Sequence, residues 1–390
     1  MSRDFQSSPK GFSTKAIHAG YNPDNSDSMC VVPPIVMSTT YKQDRPGEFK
    51  KYEYGRSGNP SRDVLESCLA SLEGAKHGIC FSSGLGAITG LLGMFQSGDH
   101  LITGMDLYGG SKRVFSQIST RFGMEVSHVD CTDIRNIKDA IKVNTKLIWL
   151  ETPTNPTLKV IDIRAVAALS KEKNIILAVD NTFLTPYFQR PLELGADLST
   201  YSLTKYMNGH TDVIMGAILT NNQQYHEKLR FLQNAMGIIP SPFDCSLVNR
   251  SLKTLALRMR QHSENGIQVA KFLETHPKVK QVMHPGLASH PQHDLFKSQT
   301  SGHSGMVAFY LKGELKESMK FLDSLKIFTL APSLGGCESL ADLPCKMTAA
   351  NVPVAQQKIL NINDSLIRLT VGLEDIEDLI HDLKQALDSI

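Results

Sequence analysis

Four short, largely apolar runs in the middle of the chain constrain its fold more than any other feature. They cover residues 100–103, 147–150, 175–179 and 213–219, and stretches compatible with helices separate the first three. Short runs that are apolar almost throughout, rather than at alternate positions, are typical of strands buried on both faces. The pattern therefore predicts an α/β fold in which helices cover both faces of a mostly parallel sheet.

The rest of the chain divides into an irregular start and a second alternating part. Residues 1–56 are rich in Ser, Asp, Lys and Pro, so we expect either a disordered segment or an arm that docks on something else. The first helix follows, with Ser61 as its predicted N-cap and Gly74 closing it. Because 390 residues suffice for two or three domains, we predict a large domain over 57–256 and a smaller α/β domain over 257–390.

Three elements near the second part can be predicted individually. Residues 252–274 are expected to form one long helix, and residues 306–311 a strand. The stretch from Ile376 to Leu387 has apolar residues on one helical face and acids crowding its start, which is typical of an amphipathic helix.

Charge and cysteine content exclude several classes of protein. The chain has 41 Lys and Arg residues and 39 Asp and Glu residues, a net charge of +2. This balance gives the chain as a whole no charge that attracts nucleic acid or an anionic membrane. Seven cysteines without a C-x-x-C pair argue against a disulfide framework or a zinc ribbon, and we expect no metal site. The uncharged run at 78–98 is long enough to span a bilayer, but its six glycines favour a buried segment. Residues 1–12 contain no apolar leader, so we expect a cytoplasmic protein.

Lys205 is the first candidate for chemistry. It lies among hydroxyl and apolar residues in the stretch Ser202-Leu203-Thr204-Lys205-Tyr206, just before the strand predicted at 213–219. Partial burial lowers the pKa of a lysine, and its free amine can then form a Schiff base. Most lysines are solvated, so this stretch alone does not identify an active site.

A glycine-rich turn before a predicted helix offers a site for an anion. Backbone N–H groups at a helix N-terminus and the helix dipole both favour a bound phosphate. The spacing of Gly84, Gly86 and Gly90 is one residue too long for a dinucleotide fingerprint, and the turn is expected to follow a helix rather than a strand. We therefore predict a single phosphate group as the ligand, with Ser202 and Thr204 able to supply hydroxyl groups.

Asp180 and Tyr108 complete the set of candidate residues. Asp180 ends an apolar run, so it is predicted at the carboxyl end of a strand, where open α/β sheets bind ligands. There it would face a cationic ring nitrogen, unless it is a solvated residue or a helix N-cap. Tyr108 precedes two glycines and could lay its ring on a ligand, unless it is a core or turn tyrosine. A phosphate cradle, an aromatic lid, a carboxylate and a Schiff-base lysine are together what pyridoxal phosphate (PLP) requires.

Six motifs along the chain resemble those of the Cys/Met-metabolism family of PLP-dependent enzymes. The resemblance covers nearly the whole chain, from about Phe12 to Leu387. The motifs are Tyr54-Gly55-Arg56-Ser57-Gly58-Asn59-Pro60, Glu151-Thr152-Pro153-Thr154-Asn155-Pro156, Val179-Asp180-Asn181-Thr182-Phe183, Thr204-Lys205-Tyr206-Met207-Asn208-Gly209-His210, Ser333-Leu334-Gly335-Gly336 and Ile367-Arg368-Leu369. The resemblance implies PLP as the cofactor and the aspartate-aminotransferase-like architecture called fold type I, with PLP bound by the large domain.

The resemblance also implies roles for individual residues at the cofactor. Lys205 would form the Schiff base with PLP, Asp180 would pair with the pyridine nitrogen, and Tyr108 would stack on the ring. Further contacts to the cofactor and its phosphate would come from Gly84, Leu85, Thr182, Ser202 and Thr204.

An oligomer is implied as well, because in this family Tyr54 and Arg56 reach the phosphate of a neighbouring subunit. The arm over 1–56 would therefore contact a second copy of the chain. The resemblance implies a homotetramer built from two such dimers.

The substrate carboxylate would be held by Arg368 together with Asn155 and Ser333. A bidentate contact between a guanidinium and a carboxylate suits this task better than a lysine would. Glu53 and Arg113 are implied as further substrate-binding residues.

The reaction implied is the α,γ-elimination of L-cystathionine to L-cysteine, 2-oxobutanoate and ammonia, with hydrogen sulfide release from cysteine or homocysteine as a side reaction. Lys205 would remove the α-proton, and Tyr108 would protonate the leaving group or assist the transfer of the amine. The alternatives are the synthesis of cystathionine and its cleavage on the β side, since Pro332 stands where γ-cleaving members usually have Glu. A catalytically silent binding protein is the alternative from another class.

Overall fold

Helices and strands alternate through the chain that this computed structural model describes, which comprises residues 5–7, 10–350 and 352–390. The α-helices are α1 (Phe12–His18), α2 (Pro60–Glu73), α3 (Gly84–Leu92), α4 (Gly109–Arg113), α5 (Ile134–Ala140), α6 (Ile163–Lys173), α7 (Thr185–Phe188), α8 (Gln223–Ala235), α9 (Pro242–Leu252), α10 (Leu255–Thr275), α11 (His293–Gln299), α12 (Leu315–Ser324), α13 (Val354–Ile359) and α14 (Ile376–Asp388). The strands are β1 (His77–Phe81), β2 (His100–Gly104), β3 (Glu125–Val129), β4 (Thr145–Glu151), β5 (Ile176–Asp180), β6 (Leu198–Ser202), β7 (Gly216–Thr220), β8 (Val279–Met283), β9 (Met306–Leu311), β10 (Thr329–Leu330), β11 (Leu340–Asp342) and β12 (Leu366–Thr370). Short 3₁₀ turns lie at Pro23–Asn25, Ser119–Phe122 and Pro191–Leu194, and a π-helical turn lies at Val114–Ile118.

Seven strands form the large sheet, in the order β1-β7-β6-β5-β4-β2-β3. Strand β7 runs antiparallel to both of its neighbours, and the remaining pairs are parallel. The predicted α/β fold with a mostly parallel sheet is therefore confirmed. The strand predicted at 213–219 begins only at Gly216, because the Met215 N–H donates to Thr204 Oγ1 at 3.1 Å rather than to a neighbouring strand.

Side chains of the interior strand β4 alternate between two apolar layers. Leu147 and Trp149 pack with residues of α3 and α8 on one face. Ile148 and Leu150 pack with residues of α6 on the other face. All four side chains are fully buried, and burying an apolar side chain of this kind contributes roughly 1.5–3 kcal/mol. The helices on both faces explain why this run is apolar at every position.

The second sheet has five strands in the order β10-β11-β12-β9-β8. Strands β10 and β11 are parallel, and the other pairs are antiparallel. Helices α10, α12 and α14 share one apolar core with β9. Strand β9 spans the residues predicted as a strand, and α14 is the predicted amphipathic helix.

The long helix predicted over 252–274 is interrupted at its start. Helix α9 ends at Leu252, and α10 begins at Leu255. The Arg258 side chain of α10 donates to the Ser251 carbonyl at 2.9 Å. This carbonyl near the end of α9 therefore receives a hydrogen bond from a side chain rather than from a continuing helix. Periodicity alone misses this turn because apolar residues continue across it.

The N-terminal arm contains a helix that was not predicted. Phe12 and Ala16 lie four residues apart, are both buried and give α1 its apolar face. This face packs on α2, where the Cys68 thiol donates to the Ala16 carbonyl at 3.8 Å. Residues 26–58 form turns and isolated bridges without a helix, so the prediction of an irregular arm holds only for this later part.

Asn59, and not Ser61, caps α2. The Asn59 side chain accepts from the N–H groups of Ser61 and Arg62 at 2.9 and 3.1 Å. Ser61 Oγ instead accepts from the Val36 N–H at 2.9 Å and ties the irregular segment to the helix. Gly74 closes α2 with a φ of 75°, as predicted.

Strand β1 precedes α3, so the expectation that the glycine-rich turn follows a helix is wrong. Within the described residues, no helix is both long enough and apolar enough to cross a membrane. In the same part of the chain, His, Cys, Asp and Glu side chains do not gather in groups of three or more that could hold a metal ion. The domain boundaries at 56/57 and 256/257 stay predictions.

Replacing Asn59 by alanine should destabilise the protein, because two N–H groups at the start of α2 lose their acceptor. We expect the free energy of unfolding to fall by about 1–2 kcal/mol, measured by denaturant titration of the purified protein. Asn59→Ser keeps a hydroxyl acceptor and should lose clearly less. Equal losses in the two variants would contradict capping as the cause.

Candidate active site

The carboxyl ends of three parallel strands meet at one edge of the large sheet. Glu151 ends β4, Asp180 ends β5 and Ser202 ends β6, and Glu151 lies directly opposite Asp180 in the register. A cavity of about 830 Å³ opens at this edge, a volume typical of small-molecule sites. Asp180 therefore lies at a strand end beside a cavity, as predicted from the apolar run that precedes it.

The N-terminus of α3 forms one wall of this cavity. Ser83 caps the helix, since its Oγ accepts from the Gly86 N–H at 2.9 Å. The N–H groups of Gly84 and Leu85, in the first turn, have no acceptor inside the helix. A Cβ at Gly84 would lie 3.1 Å from Ser202 Cβ, so the glycine lets the helix end approach β6. Gly84, Leu85 and Ser202 thus line one concave surface that can receive a phosphate group.

Two threonines predicted as cofactor ligands line the cavity, but their hydroxyl groups bind the protein itself. Thr204 Oγ1 donates to the Met215 carbonyl at 3.3 Å. Thr182 Oγ1 donates to Asp180 Oδ1 at 2.5 Å and accepts from the Ser202 N–H at 2.8 Å. Thr182 therefore fixes the Asp180 carboxyl group relative to β6.

Burial changes the acidity of the two strand-end carboxyl groups. It raises the pKa of Asp180, against the two hydrogen bonds that Thr182 donates to this side chain. It also raises the pKa of Glu151 well above its ordinary value, and the neighbouring Asp180 raises it further. Glu151 was not predicted as a site residue, although it ends an apolar run just as Asp180 does.

Lys205 follows β6 in the chain, and its side chain lines the cavity. Its Nζ donates to Ser333 Oγ at 2.7 Å. Burial, assisted by the positive charge of Arg368, lowers the pKa of Lys205 to about 8. A fraction of the amine is therefore neutral near physiological pH, as a nucleophile or a base requires.

A strained loop brings Ser333 to Lys205. Ser333 has a φ of 110°, a backbone conformation that residues other than glycine rarely adopt. Gly335 approaches the next turn so closely that a Cβ there would lie 2.6 Å from Tyr206 N. The glycine therefore permits the contact between this loop and the turn that carries Lys205. Pro332, the preceding residue of the loop, also lines the cavity.

Arg368 lies on β12 beside this loop, with only 2% of its surface exposed. Its Nη1 donates to Asn155 Oδ1 at 2.9 Å, and its Nη2 donates to the Ser333 carbonyl at 3.1 Å. The fold thus brings together the three residues predicted to hold a substrate carboxylate. An ion pair of 2.6 Å joins Arg368 Nη2 to Asp342, its register partner on β11. Asp342 was not predicted, because only the pairing of β11 with β12 places it beside Arg368.

Tyr108 stands at the edge of the cavity with 43% of its surface exposed. Its backbone N–H donates to Glu151 Oε2 at 3.0 Å. A Cβ at Gly110 would collide with the ring of Tyr108, so the glycine provides the space that the ring occupies. Arg113 lines the same cavity and is exposed. Both Tyr108 and Arg113 can therefore reach a small molecule in this cavity.

Glu53, Tyr54 and Arg56 lie outside this cavity and are exposed. The Arg56 guanidinium lies 5.7 Å from the centre of the Tyr54 ring, and its Nη1 donates to the Asn234 carbonyl at 3.0 Å. Within one chain, these three side chains do not contribute to the cavity wall. Contact of Tyr54 and Arg56 with a neighbouring subunit's site stays a prediction, as does binding of the substrate by Glu53.

The residues around the cavity fit PLP. The N–H groups of Gly84 and Leu85 suit its phosphate. The Asp180 carboxyl group suits the protonated pyridine nitrogen, because an opposite charge restores the ionised form of a buried acid. Lys205 offers an amine with a lowered pKa to the aldehyde. Each polar part of the cofactor therefore has a complementary group in the cavity wall.

Comparison with known proteins leads to the same cofactor. The family model described as Cys/Met metabolism PLP-dependent enzyme matches residues 13–388. Cystathionine gamma-lyase from Homo sapiens is 55% identical to this chain over 377 residues, which are 96% of this chain and 93% of the human protein.

Two solved structures share the whole fold. Cystathionine gamma synthase from Xanthomonas oryzae pv. oryzae, in complex with aminoacrylate and cysteine, is 41% identical, with a TM-score of 0.95 over 98% of each chain. Cystathionine gamma-lyase from Lactobacillus plantarum, complexed with L-serine, is 39% identical, with a TM-score of 0.93 over 97% of this chain and 99% of that chain. These matches confirm the fold-type-I architecture. Because the family model, the relatives and the fold agree, the chain belongs to the Cys/Met metabolism family of PLP-dependent enzymes.

Proposed function

We propose that this protein uses PLP to cleave L-cystathionine at its γ-carbon–sulfur bond. One water molecule would be consumed, and the products would be L-cysteine, 2-oxobutanoate and ammonia. The observation that carries the proposal is the cluster of Lys205, Ser333 and Arg368. In this cluster the Lys205 amine lies 2.7 Å from the Ser333 hydroxyl, and the Arg368 guanidinium donates to the Ser333 carbonyl. A relative with 55% identity that is named cystathionine gamma-lyase supports the choice of substrate.

Arg368 supplies a fixed cation for the α-carboxylate of the substrate. Asn155, Ser333 and Asp342 all bind its guanidinium group. The Arg368 side chain is therefore already ordered, and binding a carboxylate costs little further side-chain entropy. A carboxylate at Arg368 brings the α-carbon towards Lys205, because both side chains contact Ser333. Ser333 thus links the group that orients the substrate to the group that acts on it.

When bound, PLP withdraws electrons from the α-carbon of an attached amino acid. Lys205 is the general base for the α-proton, and its pKa of about 8 keeps part of the amine neutral. Asp180, fixed by Thr182, holds the proton on the pyridine nitrogen. Lys205, after handing on the α-proton, takes a proton from the β-carbon as the thiolate departs from the γ-carbon. Tyr108, at the edge of the cavity, is the acid that protonates the leaving sulfur.

Synthesis of cystathionine is the second candidate function, because a cystathionine gamma synthase matches this fold with a TM-score of 0.95. Both reactions would use the same carboxylate site, so their products distinguish them. Cleavage on the β side is a further outcome to test, since the uncharged Pro332 lines the cavity. Hydrogen sulfide release from cysteine or homocysteine would be a side reaction of the same site.

We also propose that the protein is a cytoplasmic homotetramer built from two dimers. Several large apolar side chains of the arm are exposed, namely Met29, Val31, Val32, Ile35, Met37 and Phe49. Exposed apolar side chains concentrated in one segment suit an interaction surface, and a symmetric dimer is the commonest way to cover one. Tyr54 and Arg56, which lie off their own cavity, would complete the site of the neighbouring subunit.

The purified protein incubated with L-cystathionine should release 2-oxobutanoate and cysteine, identified by mass spectrometry. Pyruvate with homocysteine would indicate cleavage on the β side, and the absence of any keto acid would contradict a lyase. Lys205→Ala should lower turnover by about a thousandfold or more, because it removes the base. Lys112→Ala removes another lysine that lines the cavity and should keep most of the activity.

Capture of PLP by the cofactor-free protein should depend on pH through Lys205. Only a neutral amine attacks an aldehyde, and the pKa of Lys205 is lowered from 10.5 to about 8. The rate should therefore rise as the pH increases through about 8 and level off above it, as followed by the visible absorbance of the bound cofactor. A rate that keeps rising to about pH 10, as for an ordinary lysine, would contradict the lowered pKa.

Two inactive variants should restore each other if the site is shared between subunits. Lys205→Ala damages the chain's own site, whereas Arg56→Ala would damage the site of its neighbour. In a mixed dimer, one of the two sites keeps both native residues. Co-expression in equal amounts should therefore regain about one quarter of wild-type turnover in the purified mixture. Activity no higher than the average of the separate variants would argue against a shared site.

A further inference from the structure

Glu151 lies in the cavity wall, but the proposed reaction gives it no task. Only 6% of its surface is exposed. It ends β4 directly opposite Asp180 at the end of β5, so the two carboxyl groups emerge side by side from neighbouring parallel strands. In the proposed function, Asp180 pairs with the cationic nitrogen of the cofactor. A second buried carboxylate at this place would need a cation of its own.

The charged groups near Glu151 offer no such cation. The charged groups are the carboxyl groups of Asp180 and Asp106. Burial is the main cause of the raised pKa of Glu151, and these two acids raise it further. The cations that line the same cavity are Lys112, Arg113, Lys205 and Arg368. Lys205 and Arg368 donate hydrogen bonds to other residues. Among the residues that the structure describes, none of the four cations forms an ion pair or a hydrogen bond with Glu151. A neutral carboxyl group avoids the cost of a buried, unpaired charge.

The hydrogen bond of Glu151 leads to Tyr108. Glu151 Oε2 accepts from the Tyr108 backbone N–H at 3.0 Å, which ties the end of β4 to the loop after β2. Tyr108 stands at the point where this loop turns into α4. Its ring lies against Gly110, where a Cβ would collide with it. The backbone of Tyr108 is thus fixed by Glu151, and its ring lies against Gly110.

We propose that Glu151 is a positioning residue of this active site, which holds Tyr108 over the cofactor as an uncharged, protonated carboxyl group. This inference rests on the proposed function only in that Tyr108 stacks on PLP. With Glu151 neutral, Asp180 is the carboxylate of this pair that faces the pyridine nitrogen. The position of the aromatic ring and the charge at the nitrogen are then controlled by two adjacent acids with different protonation states.

Two substitutions separate the hydrogen bond of Glu151 from its charge. Glu151→Gln is neutral and keeps an acceptor oxygen for Tyr108, whereas Glu151→Ala removes the acceptor. In the holoenzyme, Glu151→Ala should release PLP about tenfold faster on dilution and lower kcat about tenfold, the effect expected of one lost hydrogen bond. Glu151→Gln should restore both quantities to within about twofold of wild type. A Gln variant that behaves like the Ala variant would refute the proposal, because a negative charge would then be required.

The pH dependence of the visible absorbance of bound PLP is a readout that a merely structural role would not move. An uncharged Glu151 predicts the same apparent pKa of the bound cofactor in the wild type and in Glu151→Gln. A shift of about one unit or more would mean that Glu151 carries a charge, and the proposal would be wrong. This measurement needs no turnover. It therefore tests Glu151 separately from the assay with L-cystathionine, whose failure would instead count against the proposed function.

A double-mutant cycle tests whether Glu151 acts through Tyr108. In a Tyr108→Ala background, Glu151→Ala should change PLP release by less than about twofold, because the ring that it positions is gone. Tyr108→Phe keeps the ring and serves as the matched control, in which Glu151→Ala should keep its full effect. A full effect in the Tyr108→Ala background would show that Glu151 acts on the cofactor by another route and would exclude the positioning role.

Discussion

The parallel pairing of β4, β5 and β6 is the constraint on which this active site depends. Parallel neighbours end at the same edge of a sheet, so Glu151, Asp180 and Ser202 lie close together although they are far apart in the chain. The close approach of Gly84 to Ser202 brings the N-terminus of α3 to the same edge. One sheet thereby presents both the group proposed for the ring nitrogen and the groups proposed for the phosphate.

The second sheet supplies the other half of the site. Arg368 lies on β12, and its partners come from both halves of the structure, since Asn155 follows β4 and Ser333 follows β10. The bond from Lys205 to Ser333 joins the two halves a second time. The strained backbone of Ser333 persists because contacts on several sides hold the loop in place. The proposed carboxylate site therefore exists only where the two sheets meet.

Burial acts in opposite directions on the base and the acids of this site. It lowers the pKa of Lys205 to about 8, and it raises the pKa of Asp180 and of Glu151. Both kinds of shift favour the uncharged form of a buried group. For Lys205, the neutral form is the one that can act as a base. Asp180 differs from Glu151 in receiving two hydrogen bonds from Thr182, and a cationic ligand would complete its stabilisation as an anion.

The sequence by itself determined the α/β fold class and the strand-end position of Asp180, and it singled out Lys205 and Tyr108, because apolar runs, turns and motifs are local patterns. It did not reveal Glu151 or Asp342 as site residues, the N-cap of α2 or the turn before α10. It also left open which hydroxyl groups bind the protein itself. Only the tertiary structure decided these points and the direction in which the pKa of each buried group shifts. The physical reason is that burial and proximity arise when segments distant in the sequence pack together.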